Sequence, residues 1–195
     1  VIDVLVAGGG PAGLAAAIHA ALAGLEAVVV EPRAAPVDKA CGEGVMPGGV
    51  AALRALGVEV TGRELRGIRY LDGAARAEAA FGRSGLGVRR TALHAALHQR
   101  ALGLGVRMLP GKIGEVHQSA DTVTAAGTTA RWLIAADGLH SPLRRSLGLE
   151  LPGIAHGRYG LRRHYRVEPW TDFVEVHWSA HGEAYVTPVG DDLVG

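Results

Sequence analysis

The chain has 195 residues, 48% of them hydrophobic and 20% charged, which suits a globular protein of one domain or one and part of a second and excludes a disordered chain. Its formal net charge is +1 and its arginines are scattered, with the pairs Arg89-Arg90, Arg144-Arg145 and Arg162-Arg163 far apart, so no basic stripe offers a nucleic-acid footprint. The single cysteine, Cys41, excludes an internal disulfide framework and fits a reducing, cytoplasmic setting.

Aromatic residues make up only 5% of the chain, whereas there are 29 glycines. Small residues suit close packing of helices on a sheet, so an α/β architecture is expected. The longest apolar stretch, residues 14–30, is interrupted by His19, Gly24 and Glu26; it reads as a helix followed by a strand rather than a transmembrane span. No secretory signal pattern is visible. The chain starts without Met and stops in what reads as the start of a strand at 191–195, so it is expected to be a piece of a longer protein.

In chain order, residues 2–7 are rich in Val and Ile and read as a strand buried on both faces. A glycine turn follows at 8–13, and from Pro11 the spacing of Leu14, Ile18, Leu22 and Leu25 gives a helix with one buried face, bounded by Gly24. Residues 27–31 form a second buried strand and complete a β-α-β unit. A Pro-, Gly- and Ala-rich loop is expected over 32–46, then a short helix over 50–56 closed by Gly57. Strands over 66–71 and 75–81 flank Asp72-Gly73, a hairpin signal.

A helix is expected over 90–102, with Leu93, Leu97 and Leu104 on its apolar side. Short strands over 106–109, 112–117, 122–125 and 131–136 read as an antiparallel meander returning to a buried strand. Beyond Gly153 the rhythm is strand-like, over 158–167 and 173–178, and marks the start of a β-rich second domain.

Two motifs carry chemistry. Gly8-x-Gly10-x-x-Gly13 follows a strand and opens a helix. Gly8 permits the tight turn, Gly10 lets a pyrophosphate approach the backbone, and Gly13 lets helix and sheet pack closely. The helix N-terminus, with Pro11 and Ala12, offers free N–H groups and its dipole to phosphates. Glu31, 18 residues past Gly13, stands where a carboxylate accepts ribose hydroxyls. This pattern points to dinucleotide binding but does not separate FAD from NAD. The second motif, Ala136-Asp137-Gly138-x-x-Ser141-x-x-Arg144, ends a strand more than a hundred residues later.

Together, the turn Gly8-Gly9-Gly10-Pro11-Ala12-Gly13, the run Glu31-Pro32-Arg33, the segment Val88-Arg89-Arg90-Thr91-Ala92-Leu93 and the segment Ala136-Asp137-Gly138-Leu139-His140-Ser141 resemble the superfamily of FAD-dependent aromatic hydroxylases (group A flavin monooxygenases) and geranylgeranyl reductases. The likeness spans residues 2–147. It implies FAD as cofactor and NAD(P)H as co-substrate. By this resemblance Glu31 would hold the adenosine ribose and Arg33 would lie near adenine or the phosphates. Arg90, with Arg89 as its rival, would reach the pyrophosphate or ribityl chain. Ile113, on the first meander strand, would pair its backbone with adenine, and Asp137 would sit by the pyrophosphate and the nicotinamide route.

The loop Lys39-Ala40-Cys41-Gly42-Glu43-Gly44-Val45-Met46-Pro47 resembles the reductase branch, where a Cys-Gly loop approaches the flavin ring. Cys41 is then either a substrate-side group or a small, partly buried turn residue. The family's later Gly-Asp motif has no clear counterpart; Gly190-Asp191 reads as a hairpin turn.

His94 and His98 are spaced i and i+4, but no third ligand completes a metal site, so a solvated helix face is expected. Ser141 beside His140 lacks a nucleophile elbow and a triad. Tyr159, Tyr165, Trp170 and Trp178 fall on expected strands of the second domain, as sheet core or as the wall of a substrate pocket.

The expectation is therefore a Rossmann-type α/β FAD-binding fold with an inserted antiparallel meander and the start of a β-rich substrate domain. The FAD-binding part would comprise 1–60 and 85–152, and the substrate part 61–84 and 153–195. The leading expected activity is NAD(P)H-dependent hydroxylation or epoxidation of a small organic substrate. The alternatives are saturation of an isoprenoid C=C bond, or a dinucleotide-binding piece without turnover. No nucleic-acid partner is expected, although an apolar substrate could bring the protein to membranes.

Overall fold

The computed structural model of the chain describes residues 1–151 and 159–195. Val and Ile fill the first strand, β1 (Ile2–Ala7), which is buried except at Asp3. Helix α1 (Pro11–Leu22) opens with Pro at its first turn, where the missing N–H costs nothing. It buries Gly13, Leu14, Ala17, Ile18 and Ala20. Strand β2 (Ala27–Glu31) is buried throughout and runs parallel to β1, with Val4 opposite Ala27.

The loop expected up to residue 46 contains a short strand, β3 (Gly44–Val45). Helix α2 (Pro47–Ala55) starts earlier than the apolar spacing implied, again with Pro in its first turn. Strands β4 (Arg63–Asp72) and β5 (Ala75–Gly87) turn at Asp72-Gly73 as expected, but both extend further. Their exposed residues alternate too little for the sequence to mark the ends.

Helix α3 (Arg90–Gly103) buries His94, Leu97 and Ala101. It is followed by β6 (Arg107–Pro110), β7 (Val116–Gln118), β8 (Val123–Ala125), β9 (Thr128–Ala135) and α4 (Pro142–Ser146). The C-terminal part contributes β10 (Tyr165–Arg166), β11 (Phe173–Ser179), β12 (Gly182–Val186) and β13 (Leu193–Val194). The expected domain start at 153 and the first residue of the expected strand at 158 lie outside the described residues.

The chain divides into two compact units, one built from Val1–Val37 and the chain that follows from His94, the other from Asp38–Leu93 and the C-terminal segment ending at Gly195. The first unit holds a six-stranded sheet in the order β6-β2-β1-β9-β8-β7. Strands β6, β2, β1 and β9 are mutually parallel, and β7, β8 and β9 are antiparallel. The expected meander is thus smaller than proposed: β6 leaves it to extend the parallel sheet beside β2, because Val28 to Glu31 offer it a buried edge. Strand β9 is only partly buried, with Trp132 66% exposed. The core beneath the sheet gathers Ile2, Leu5, Val28, Val30, Ile113, Val123 and Leu143.

The second unit contains a five-stranded sheet in the order β12-β11-β4-β5-β3 and the pair β10-β13. Strands β11 and β4 run parallel, and β4–β5 and β11–β12 antiparallel. Pro188 bridges Val194 antiparallel, and the Val189 N–H reaches the Leu193 carbonyl at 3.0 Å, so Gly190-Asp191 is a hairpin turn as expected. Of the four aromatics assigned to strands, only Tyr165 and Trp178 lie on one. All four are exposed within their unit and do not form its core.

Candidate cofactor site

The glycine turn between β1 and α1 is shaped by close backbone contact. Gly8 has φ +100°, and a Cβ there would strike the Ala136 carbonyl at the end of β9. A Cβ on Gly13 would collide with the Gly8 carbonyl. At Gly10, by contrast, nothing lies within 4 Å of the Cβ position. Gly10 is the N-cap of α1 yet no side chain caps the helix there, and its first turn carries no acidic residue. The first N–H groups of a helix have no intrahelical acceptor. Beside open space, they form a receptor for an anion.

Glu31, at the end of β2, is 8% exposed. Its Oε2 accepts the Gly9 N–H at 2.9 Å and Nη2 of Arg33 at 3.2 Å, and its Oε1 accepts the Arg33 N–H at 3.1 Å and Nε at 2.7 Å. Burial pushes the Glu31 carboxyl up, but the Arg33 side chain and the backbone N–H groups of Gly9 and Arg33 outweigh it, and the acid is held below its usual range. The same pair raises the Arg33 guanidinium. Four donors thus occupy the carboxylate, and a ligand that hydrogen-bonds to it would have to displace the half-exposed Arg33 side chain.

Beside this pair lies a cavity of about 210 Å³ lined by Gly9, Glu31, Arg33, Val37, His98 and Leu109, among others. It is smaller than the ~300–1,000 Å³ of whole-ligand pockets and suits one end of a dinucleotide. His94 also lines it, and its place corrects the expected solvated helix face. It is 1% exposed, and its Nε2 lies 2.8 Å from the Gly9 carbonyl. The signal was present in the sequence, since His94, Leu97 and Ala101 share one helical stripe. Among the described residues no cluster of three His, Cys, Asp or Glu could hold a metal.

Asp137 is half-buried. Its Oδ2 accepts the Leu143 N–H at 3.2 Å, while Ser141 Oγ accepts the Arg144 N–H at 2.9 Å. Both side chains therefore serve the start of α4, and the residues just past β9, Ala136 and Asp137, abut Gly8. Ile113 lies before β7 rather than on a meander strand. Its side chain packs into the core of the first unit.

Cys41, Gly42 and Arg90 belong to the second unit. Cys41 is exposed, which corrects its reading as a partly buried turn residue. Glu43, given no role by the sequence, organises this region: its side chain is 1% exposed. It accepts the Arg90 N–H at 2.7 Å, His164 Nε2 at 2.6 Å and Arg162 Nη1 at 3.3 Å. Its φ of +54° is unusual for a residue with a Cβ. The Gly42 carbonyl accepts Thr187 Oγ1 at 2.7 Å. The Nε atoms of Arg89 and Arg90 are buried without a hydrogen-bond partner, and Arg89 Nε stands 3.7 Å from Glu43.

A family model described as an FAD binding domain matches residues 1–108. The chain belongs to this FAD-binding family. Menaquinone reductase of Mycobacterium tuberculosis (strain ATCC 25618 / H37Rv) is 36% identical over 192 residues, covering 86% of this chain and 46% of that protein. The 12-dehydrotetracycline 5-monooxygenase/anhydrotetracycline 6-monooxygenase of Streptomyces rimosus is 30% identical over 181 residues, covering 77% of this chain and 33% of that protein. The chain therefore spans less than half the length of these curated relatives. A geranylgeranyl bacteriochlorophyll reductase-like protein from Thermoplasma acidophilum shares the fold, with a TM-score of 0.74 at 24% identity over 99% of this chain and 55% of its own. The uncapped α1 terminus, the open space at Gly10 and the Glu31-lined cavity fit the FAD that defines the family. Among the described residues, no helix is long and apolar enough to cross a membrane.

Proposed function

We propose that this chain is the FAD-binding portion of a flavin-dependent reductase acting on an apolar quinone or isoprenoid substrate, with NAD(P)H as the electron source. FAD, when bound, supplies the hydride chemistry, and the protein supplies binding, orientation and electrostatics. Gly8, Gly10, Pro11, Ala12 and Gly13 hold the pyrophosphate at the α1 terminus, and Glu31 holds the adenosine ribose. Arg33 leaves Glu31 for the adenine or phosphate side, and Ile113 presents its backbone to adenine. Asp137 and Arg90 serve the pyrophosphate and ribityl chain, and Cys41-Gly42 the flavin ring. Cofactor binding is then assigned to residues 1–60 and 85–152, and substrate binding to 61–84 and 153–195.

The observation that carries the cofactor reading is the uncapped helix terminus facing open space at Gly10. The likeness to menaquinone reductase over most of the chain favours reduction. The tetracycline monooxygenase relative supports a second reading, the NAD(P)H-dependent hydroxylation or epoxidation expected from sequence. A dinucleotide-binding piece without turnover is the third.

The visible spectrum after FAD addition and desalting tests the cofactor, and NAD(P)H oxidation with a menaquinone analogue, followed with and without oxygen, tests the chemistry. Anaerobic quinone reduction supports the reductase. Oxygen uptake stoichiometric with substrate hydroxylation supports the monooxygenase. Flavin binding without turnover leaves the third reading. Absence of any FAD binding overturns all but a bare dinucleotide fold.

A further inference from the structure

Gly9, the middle residue of the glycine turn, is buried and uses both of its backbone polar groups on side chains from other elements. Its N–H is donated to Glu31 Oε2 at 2.9 Å, and its carbonyl oxygen lies 2.8 Å from His94 Nε2. A carbonyl oxygen only accepts, so Nε2 carries the proton whichever charge state the ring holds. These two contacts define the peptide planes on either side of Gly9. The planes in turn fix which way the backbone from Gly10 into α1 presents its N–H groups. No side chain fits at this position: a Cβ on Gly9 would sit 2.8 Å from the Glu31 Cβ.

From this we infer that His94 is a positioning residue for the pyrophosphate cradle, holding the glycine turn in its anion-binding orientation through the Nε2–H bond to the Gly9 carbonyl. The inference rests on the FAD-binding reading for its ligand, but the pin itself exists without one. His94 is suited to the task because α3 places it on the buried stripe with Leu97 and Ala101. A rigid ring with one defined donor restricts the turn more tightly than water would. A turn held before the ligand arrives spares the cost of ordering it on binding.

His94 also lines the 210 Å³ cavity, so a direct contact to adenosine is the rival role, and the two separate by ligand. Positioning of the cradle acts on pyrophosphate, whereas direct contact acts on the adenosine moiety. The variants are His94→Gln, whose amide nitrogen reaches nearly as far as Nε2, His94→Asn, whose amide falls short, and His94→Leu. Binding of ADP, FAD and adenosine to the chain is followed by NMR titration, and ring ¹⁵N shifts of the ligand-free wild type report the protonated nitrogen.

The expected result is a Nε2-protonated ring, with ADP and FAD binding weakened about tenfold in His94→Asn and His94→Leu, the size expected for one unsatisfied buried acceptor. His94→Gln should stay within about threefold of wild type, and adenosine binding should be unchanged throughout. Three results overturn the inference: a bare Nε2, a His94→Gln as weak as His94→Asn, or equal losses for adenosine and ADP. Should His94→Leu fail to fold, the Gln–Asn pair and the ring shifts still decide. A wild type that binds neither ADP nor FAD refutes the cofactor reading, and the ring shifts then judge the pin by themselves.

Discussion

The Glu43 carboxylate accepts the backbone N–H of Arg90 at 2.7 Å, joining the Cys41-Gly42 loop to the first residue of α3. Its other oxygen takes His164, and Arg162 completes the shell. Removing a buried carboxylate leaves its cationic and N–H partners uncompensated, so Glu43→Ala should lower unfolding stability by about 3 kcal/mol. Glu43→Gly loses the same bonds but relieves the left-handed backbone, and should be less destabilised by about 1 kcal/mol. Urea denaturation of both variants measures the order. A glycine variant no better than alanine would mean that the φ of +54° stores no strain.

Glu175 on β11 gives a pH dependence. Burial pushes its carboxyl up, but hydrogen bonds from Arg69, Trp170 and His177, with the Arg69 charge, hold it below the ordinary value. Arg69 Nη1 stands at 2.7 Å and Trp170 Nε1 at 3.1 Å. A carboxyl with a depressed folded pKa contributes stability that is fully present above its unfolded value, near 4.5, and lost as pH falls through the folded one. Glu31 has the same sign. Thermal melting should therefore hold steady from neutral pH down to about 4.5 and then decline. Glu175→Gln, which cannot ionise, should reduce that acid-side slope while lowering stability at neutral pH.

Cys41 is the chain's single thiol and is exposed. It should react stoichiometrically with a disulfide reagent in the folded state, without waiting for unfolding. The check is the labelling rate in native buffer against that in denaturant. A native rate slower by about a hundredfold, the behaviour of a thiol that opens only on unfolding, would place Cys41 inside the fold.

The β-α-β start was legible in the sequence because its signals are local: Val-rich strands buried on both faces, Pro at the helix start and glycines where backbones meet. Asp72-Gly73 marked its hairpin for the same reason. What the sequence hid depends on distant partners. β6 reads as a short apolar strand like those of the meander, and only the buried edge of β2 makes it parallel. Glu43 looks like a polar loop residue until Arg162 and His164, over a hundred positions later, close around it. His94 was hidden by a choice of stripe: Leu93, Leu97 and Leu104 draw the eye, whereas the buried face runs through His94, Leu97 and Ala101.

Gly10 and Gly13 lie three residues apart yet should fail in different ways. A methyl on Gly13 meets the Gly8 carbonyl, so Gly13→Ala must push α1 away from β1. It should destabilise the fold by about 2 kcal/mol or more, as overpacking does. A methyl on Gly10 meets nothing within 4 Å, and the remaining penalty is that of alanine at an N-cap, about 1 kcal/mol. That methyl nevertheless occupies the space where a pyrophosphate must reach the α1 terminus. Gly10→Ala should thus melt close to wild type while losing at least about tenfold in affinity for ADP and FAD, equivalent to 1.4 kcal/mol of binding. Parallel melting and titration of the two variants read both effects. If Gly10→Ala binds these ligands as wild type does, the anion does not sit at this helix terminus, and the glycine turn serves packing only.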